Sequence, residues 1–180
     1  MAPKIIILQG GEDVNQRTNE AMFRDVRKLS MTGKILIIPW TTDSPDKEAA
    51  YSKIYHDYFS QCGFEEVLFL ARKEPEREIR RKFSVVDTVY IPGGDTDILY
   101  REIERRALQE MLSGFSGVII GNSAGAIVLS KGGWGDGKYH HGFGLVDLHV
   151  SVHYKPGSGN ADNTDMCVNI PENMWIAVTH

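Results

Sequence analysis

Residues 118–126 read Val-Ile-Ile-Gly-Asn-Ser-Ala-Gly-Ala and lead into Ile127-Val128-Leu129, so a short apolar strand runs through Gly-x-Ser-x-Gly into a helix-compatible stretch. A serine on a sharp strand-to-helix turn sits in strained backbone. Only small residues two positions away on either side let strand and helix come so close. Gly121 and Gly125 meet that need. The pattern predicts a nucleophile elbow with Ser123 at its tip, and the N–H of Ala124, at the start of the following helix, is placed as a fixed donor for an oxyanion. A bare Gly/Ser/Ala turn in any strand-to-helix connection would look the same in isolation. The strand before it and the helix after it favour the nucleophile.

The rest of the chain repeats that alternation. Residues 4–9, 34–39, 66–70, 88–91 and 117–121 are short apolar or β-branched runs bounded by Gly, Pro or Asp, and read as buried parallel strands. Between them Met22, Phe23, Val26 and Leu29 keep helical spacing, as do Tyr51, Ile54, Tyr55, Tyr58 and Phe59, and then Leu99, Ile103, Ala107, Leu108 and Met111. The tyrosine and phenylalanine stripe reads as core. Strands alternating with helices imply right-handed crossovers and an α/β fold with a doubly wound, mainly parallel sheet, whose ligand site lies at the carboxyl ends of the strands. Ser123 stands at such an end.

With 180 residues, 42% hydrophobic and 24% charged, the chain reads as one domain, residues 1–180. The net charge is −4, and Arg77, Arg80, Arg81 and Lys82 are interleaved with acids, so no cationic track is offered to nucleic acid. The apolar run after Lys4 is too short for a signal segment or a membrane span, which predicts a cytoplasmic protein with no membrane partner. Cys62 and Cys167 make neither metal spacing nor a disulfide framework and read as packing residues. Gly132 to Lys138 matches a phosphate-loop pattern, but Tyr139 stands where magnesium needs Ser or Thr. Gly10-Gly11 after the first strand reads as a loop contributing to the cleft.

A serine needs an imidazole to take its proton and a carboxylate to orient that imidazole. Of the six histidines, His56 falls within a helix, His140 and His141 in the glycine-rich stretch 131–144, and His180 at the last position. That stretch, with six glycines, reads as a hairpin or loop over the site. Residues 145–154 then alternate apolar and polar and read as one strand carrying His149 and His153. In a strand, residues four apart lie ~13 Å from one another, so the pair cannot share a metal. His153 is preferred as the base because it stands where the strand ends. Asp136 would give the order Ser, Asp, His, with Asp147 as a competitor.

Three blocks, Ile-Pro-Gly-Gly-Asp-Thr-Asp at 91–97, Gly-Asn-Ser-Ala-Gly-Ala at 121–126 and Gly-Leu-Val-Asp-Leu-His-Val-Ser-Val-His-Tyr at 144–154, together resemble the signature blocks of the dipeptidase E and cyanophycinase family of serine peptidases. The resemblance spans nearly the whole chain. It implies a three-layer α/β sandwich shared with class I glutamine amidotransferases, Ser123 as nucleophile, His153 as base, and Gly94 as the second oxyanion donor beside Ala124. It further implies a small peptide substrate, no cofactor and no metal, with Asp95, Thr96 and Tyr154 as substrate-binding candidates and a homodimer as the assembly to consider. The third triad member is left among Asp136, Asp147 and a residue beyond position 180, because the family pattern continues past the strand near residues 174–179. Residues 154–173 hold no arginine, only Lys155, with Asp162 and Asp165 nearby, which predicts against the family's preference for an aspartyl residue. The alternative function is a hydrolase-fold protein that binds a small metabolite without turnover or acts as an esterase.

Overall fold

The structure, a computed structural model, describes residues 4–157 and 167–179. In chain order it holds β1 (Ile5–Gln9), α1 (Glu20–Leu29), β2 (Lys34–Ile37), α2 (Pro45–Gln61), β3 (Glu66–Phe69), α3 (Glu76–Val85), β4 (Thr88–Ile91), α4 (Thr96–Arg105), α5 (Leu108–Gly114), β5 (Val118–Asn122) and α6 (Ala124–Leu129). A second group follows: β6 (Gly132–Gly135), β7 (Lys138–His141), β8 (His149–Ser151), β9 (Cys167–Asn169) and β10 (Trp175–Thr179). The main sheet has the order β10-β1-β5-β4-β2-β3, parallel except for β10, which pairs antiparallel with β1.

Alternation along these strands sends successive side chains to opposite faces, and each face finds a helical layer. Ile6, Leu8, Leu36, Val89, Ile91 and Ile119 pack with Ile79, Leu99, Ile103, Leu108, Leu112 and Ile127. Ile7, Ile35, Ile37, Tyr90 and Ile120 pack with Phe23, Val26, Tyr55, Tyr58 and Phe59. On that second face Phe23 meets Tyr58, Phe59 and Tyr90 edge-on, with ring centroids 5.4, 4.9 and 5.6 Å apart, a geometry aromatic quadrupoles favour. The result is the expected α/β sandwich. Tyr51, read as core with the rest of its stripe, is instead 45% exposed, and Leu29, which keeps the helical spacing of Met22, Phe23 and Val26, is 65% exposed. Among the described residues no helix is long and apolar enough to cross a membrane.

Three local expectations change. The helical pattern through Leu99 and Met111 is broken at Ala107, whose φ of +50° ends one helix and starts the next. The glycine-rich stretch is a hairpin, β6–β7, turned by Asp136 and Gly137 with φ of +52° and +77°, the two positive angles that make Asp-Gly a hairpin signal. It joins the four-stranded sheet β7-β6-β8-β9 and packs on α6 and α4 instead of covering the site. The strand expected over 145–154 holds only His149–Ser151.

The parallel register ends β1, β4 and β5 at one edge, with Gln9 opposite Asn122 and Ile91 opposite Gly121. Because β10 runs the other way, its first residue, Trp175, lies opposite Gln9 at that same end. Four loops therefore converge there: 10–19, 92–95, the elbow, and 170–174.

Candidate active site

At the end of β5 the chain turns through Ser123 with φ +49° and ψ −105° into α6. The reason for the flanking glycines is steric. A Cβ on Gly121 would lie 2.5 Å from the Gly125 carbonyl, and one on Gly125 would lie 2.1 Å from the Ile91 oxygen. Ser123 is thus held in strained backbone by close approach of strand, helix and the neighbouring β4.

Ser123 Oγ lies 2.7 Å from His153 Nε2, and His153 Nδ1 lies 2.5 Å from Glu172 Oε1. With Nδ1–H donating to the carboxylate, Nε2 is left as the acceptor for the serine hydroxyl. His153 is no longer in the strand: its backbone has φ +52°, and its N–H donates to Gly10 O at 2.7 Å. Ser123 N–H donates to Gln9 O at 3.0 Å and Asn173 N–H to Gly11 O at 2.9 Å. The carbonyls of residues 9–11 therefore receive one amide from each of the three segments that carry Ser123, His153 and Glu172. The turn at Gly11 has φ +154°, and a Cβ there would lie 2.4 Å from both Glu172 Oε2 and His153 Cε1. Gly10-Gly11, expected to contribute to the cleft, does not line it; Gly11 instead backs the histidine and carboxylate, and the loop enters the cleft at Glu12.

The carboxylate is the correction. Asp136 stands in the hairpin turn, outside the cleft, where its positive φ serves the turn, and Asp147 pairs with Lys131. Neither faces His153; Glu172 does. His149 lies 3.1 Å from Tyr139 Oη, and buried His140 lies 2.7 Å from Asp97. Glu172 follows Pro171 in an irregular segment without hydrophobic period. The available signal was topological: an acid just before an antiparallel last strand lies at the carboxyl end of its partner.

A cleft of about 990 Å³ opens over the serine. Gly93, Gly94 and Asp95 form one wall, close enough that a Cβ on Gly93 would touch Ser123 Cβ at 3.3 Å. Gly94 has φ +139° and presses on Thr41, where a Cβ would lie 2.7 Å from Thr41 Oγ1. Asp95 lines the cleft but also caps α4, accepting the Ile98 N–H at 2.9 Å. Thr96 is buried in the first turn of α4, and Tyr154 donates its N–H to Ile170 O at 3.2 Å; neither lines the cleft. The lining also includes Glu12, Asp13, Lys47, Tyr51 and Tyr55. Sequence reasoning missed Glu12, and it placed Tyr51 in the core.

Glu12 accepts Tyr58 Oη at 2.5 Å and the Asn19 N–H at 3.2 Å. Burial pushes its carboxyl above the ordinary range, and the Tyr58 and Asn19 hydrogen bonds oppose this in part. Among the described residues no arginine lines the cleft: Arg17 lies over the Tyr58 ring and Arg101 faces Asp43. Asp162, Asp165 and His180 lie outside the described residues. Burial pushes the Cys62 thiol up to about 12, which makes it inert packing. Among the described residues no group of three or more His, Cys, Asp or Glu side chains could hold a metal.

No curated protein matches the chain by sequence. Among solved structures it is similar to a peptidase from an acI-B1 Actinobacterium, with TM-score 0.70 and 17% identity over 98% of this chain and 83% of that one. It is also similar to a protein assigned to peptidase E from Listeria monocytogenes EGD-e, with TM-score 0.65 and 17% identity over 99% of this chain and 98% of the other. At that identity the two likenesses show a shared fold. The model of peptidase family S51 matches residues 5–173, and the chain belongs to that family of serine-type peptidases.

Proposed function

We propose that this chain hydrolyses short peptides through an acyl-enzyme on Ser123, with His153 as general base and acid and Glu172 as the group that orients it. The observation that carries this reading is the continuous hydrogen-bond path from Ser123 Oγ through the imidazole to Glu172, at 2.7 and 2.5 Å. Ser123 Oγ attacks the scissile carbonyl carbon while its proton passes to His153 Nε2, and Glu172 stabilises the resulting imidazolium. The N–H groups of Ala124 and Gly94 receive the oxyanion, preorganised donors of a kind worth about 10²–10³ in rate each. Collapse of the tetrahedral intermediate breaks the C–N bond, and Nε2–H protonates the leaving amine. A water that loses its proton to Nε2 then hydrolyses the ester and restores the serine.

The size of the cleft supports short substrates: about 990 Å³ lies at the top of the ~300–1,000 Å³ range of small-ligand sites. The test is a dipeptide library together with a fluorophosphonate probe. Turnover of at least one peptide and covalent labelling are both expected, and both are lost in Ser123→Ala. Peptide turnover that survives the substitution removes Ser123 as the nucleophile.

A further inference from the structure

Glu12 lines the same cleft as Ser123 but takes no part in the proton path. Its Oε1 receives Tyr58 Oη and the Asn19 N–H, and the Gln9 side chain also acts on the carboxyl, while among the described residues Oε2 is buried with no partner in full hydrogen-bond geometry. Gln9 and Asn122, directly opposite one another in the register of β1 and β5, are 0% and 4% exposed. Among the described residues neither amide atom of Gln9 nor the Oδ1 of Asn122 has a partner in full hydrogen-bond geometry, although Gln9 acts on the Glu12 carboxyl and Asn122 on the Tyr90 hydroxyl. A carboxylate satisfied on one side only, beside buried amides in the same state, is costly unless a ligand completes it. Tyr51 and Tyr55, stacked at 6.2 Å, add aromatic surface to the wall, which attracts cations. Among the described residues, of the lining carboxylates only Glu172 forms an ion pair with a basic group, leaving Glu12, Asp13 and Asp95 in a cleft whose other lining cation is Lys47.

We infer that Glu12 is the specificity-determining anchor for a primary ammonium group of the substrate, the free amino terminus of the peptide; this rests on the peptidase reading above. The chemistry selects the ligand. A guanidinium prefers both oxygens of a carboxylate, and one is already taken; a compact ammonium needs a single free acceptor. The Cγ–Cδ torsion of a glutamate is soft, so a small turn presents Oε2 to a donor entering from the cleft. Position selects the source. Glu12 follows Gly11, which abuts the His153 ring, and Glu12, Ser123 and His153 all line one cleft. An amino terminus held by Glu12 and a peptide bond at Ser123 would thus share that cleft, as a short substrate requires.

The test measures how L-alaninamide, N-acetyl-L-alaninamide and Nα-acetyl-L-lysinamide slow fluorophosphonate labelling of the full chain, each value normalised to the uninhibited rate of the same variant. Alaninamide is expected to protect at concentrations at least ~10-fold below its acetylated form, and Glu12→Gln to erase that difference, as befits a charge-assisted hydrogen bond. Protection by the lysine compound, lost in Glu12→Gln, upholds the ammonium site and moves its source to a side chain. Equal protection by free and acetylated alaninamide, or protection unchanged in Glu12→Gln, overturns the inference. Calorimetric titration with alaninamide reads the same site without a reactive serine. A wild-type chain that binds it but resists labelling therefore counts against the serine reading while upholding the anchor; one that does not bind it overturns the anchor.

Discussion

Gly11→Ala is the sharpest test of how the site is built. The added methyl group would lie 2.4 Å from His153 Cε1, 2.5 Å from His153 Nδ1 and 2.4 Å from Glu172 Oε2. Carbon contacts relax to about 3.5 Å or more, so imidazole and carboxylate must retreat by roughly 1 Å. Added to the 2.7 Å between Ser123 Oγ and His153 Nε2, that displacement takes the pair beyond hydrogen-bond range. Misplacement of a catalytic group by about 1 Å costs on the order of 100-fold in rate, so kcat should fall by about that factor with KM little changed. The backbone angle of +154° adds a stability loss of order 1–3 kcal/mol. Gly137→Ala is the matched control: it meets positive φ in the hairpin turn but nothing within 4 Å, so it should lower the melting temperature and spare turnover. The assay is kcat and KM on the best dipeptide, the fluorophosphonate labelling rate, and thermal unfolding of both variants. A folded Gly11→Ala protein labelled within about threefold of the wild-type rate would refute the reasoning.

Glu172→Gln should lower kcat by at least ~100-fold, because the imidazolium loses its counter-charge and the tautomer its anchor. Asp136→Asn and Asp147→Asn should stay within about twofold of wild type in the same assay. Asp-Leu should be no better a substrate than Ala-Leu, since no arginine among the described residues lines the cleft and several carboxylates do; a kcat/KM preference for Asp-Leu above ~10-fold would contradict this. Asp87 accepts hydrogen bonds from Ser30 Oγ at 2.5 Å, Met31 N at 2.7 Å, and Thr32 N and Oγ1 at 2.9 Å. Burial raises its pKa, but these bonds outweigh that and hold it below the ordinary 3.8. Asp87→Ala should cost about 1–2 kcal/mol in denaturant unfolding at neutral pH. A carboxylate with lowered pKa stabilises above its unfolded value and loses that contribution as pH falls through the folded one, so the gap between variant and wild type should narrow below pH 3.8.

The elbow was legible because its sterics are local: Gly121, Ser123 and Gly125 lie within five residues. The sheet was legible because buried parallel strands are short continuous apolar runs. Glu172 was not, because its pairing with His153 depends on β10 turning back antiparallel along β1, a contact between strands about 170 positions apart that no periodicity records. Asp136 misled for the converse reason. Chain order favoured it as the acid, while Asp-Gly between two short alternating runs already encoded a tight turn. His153 was selected for standing at a strand end, and the structure adds why that end is sharp: the backbone leaves the strand at Val152 and enters positive φ at His153.

The carbonyls of residues 9–11 gather amides from Ser123, His153 and Asn173, partners more than a hundred positions away along the chain. Contacts of that separation form late, since loop closure must be met before they give any return. A nascent or partly unfolded chain therefore carries a serine without a base and a histidine without a carboxylate. On the reading proposed above, hydrolytic competence then waits on the docking of β10 along β1, which brings Glu172 to His153.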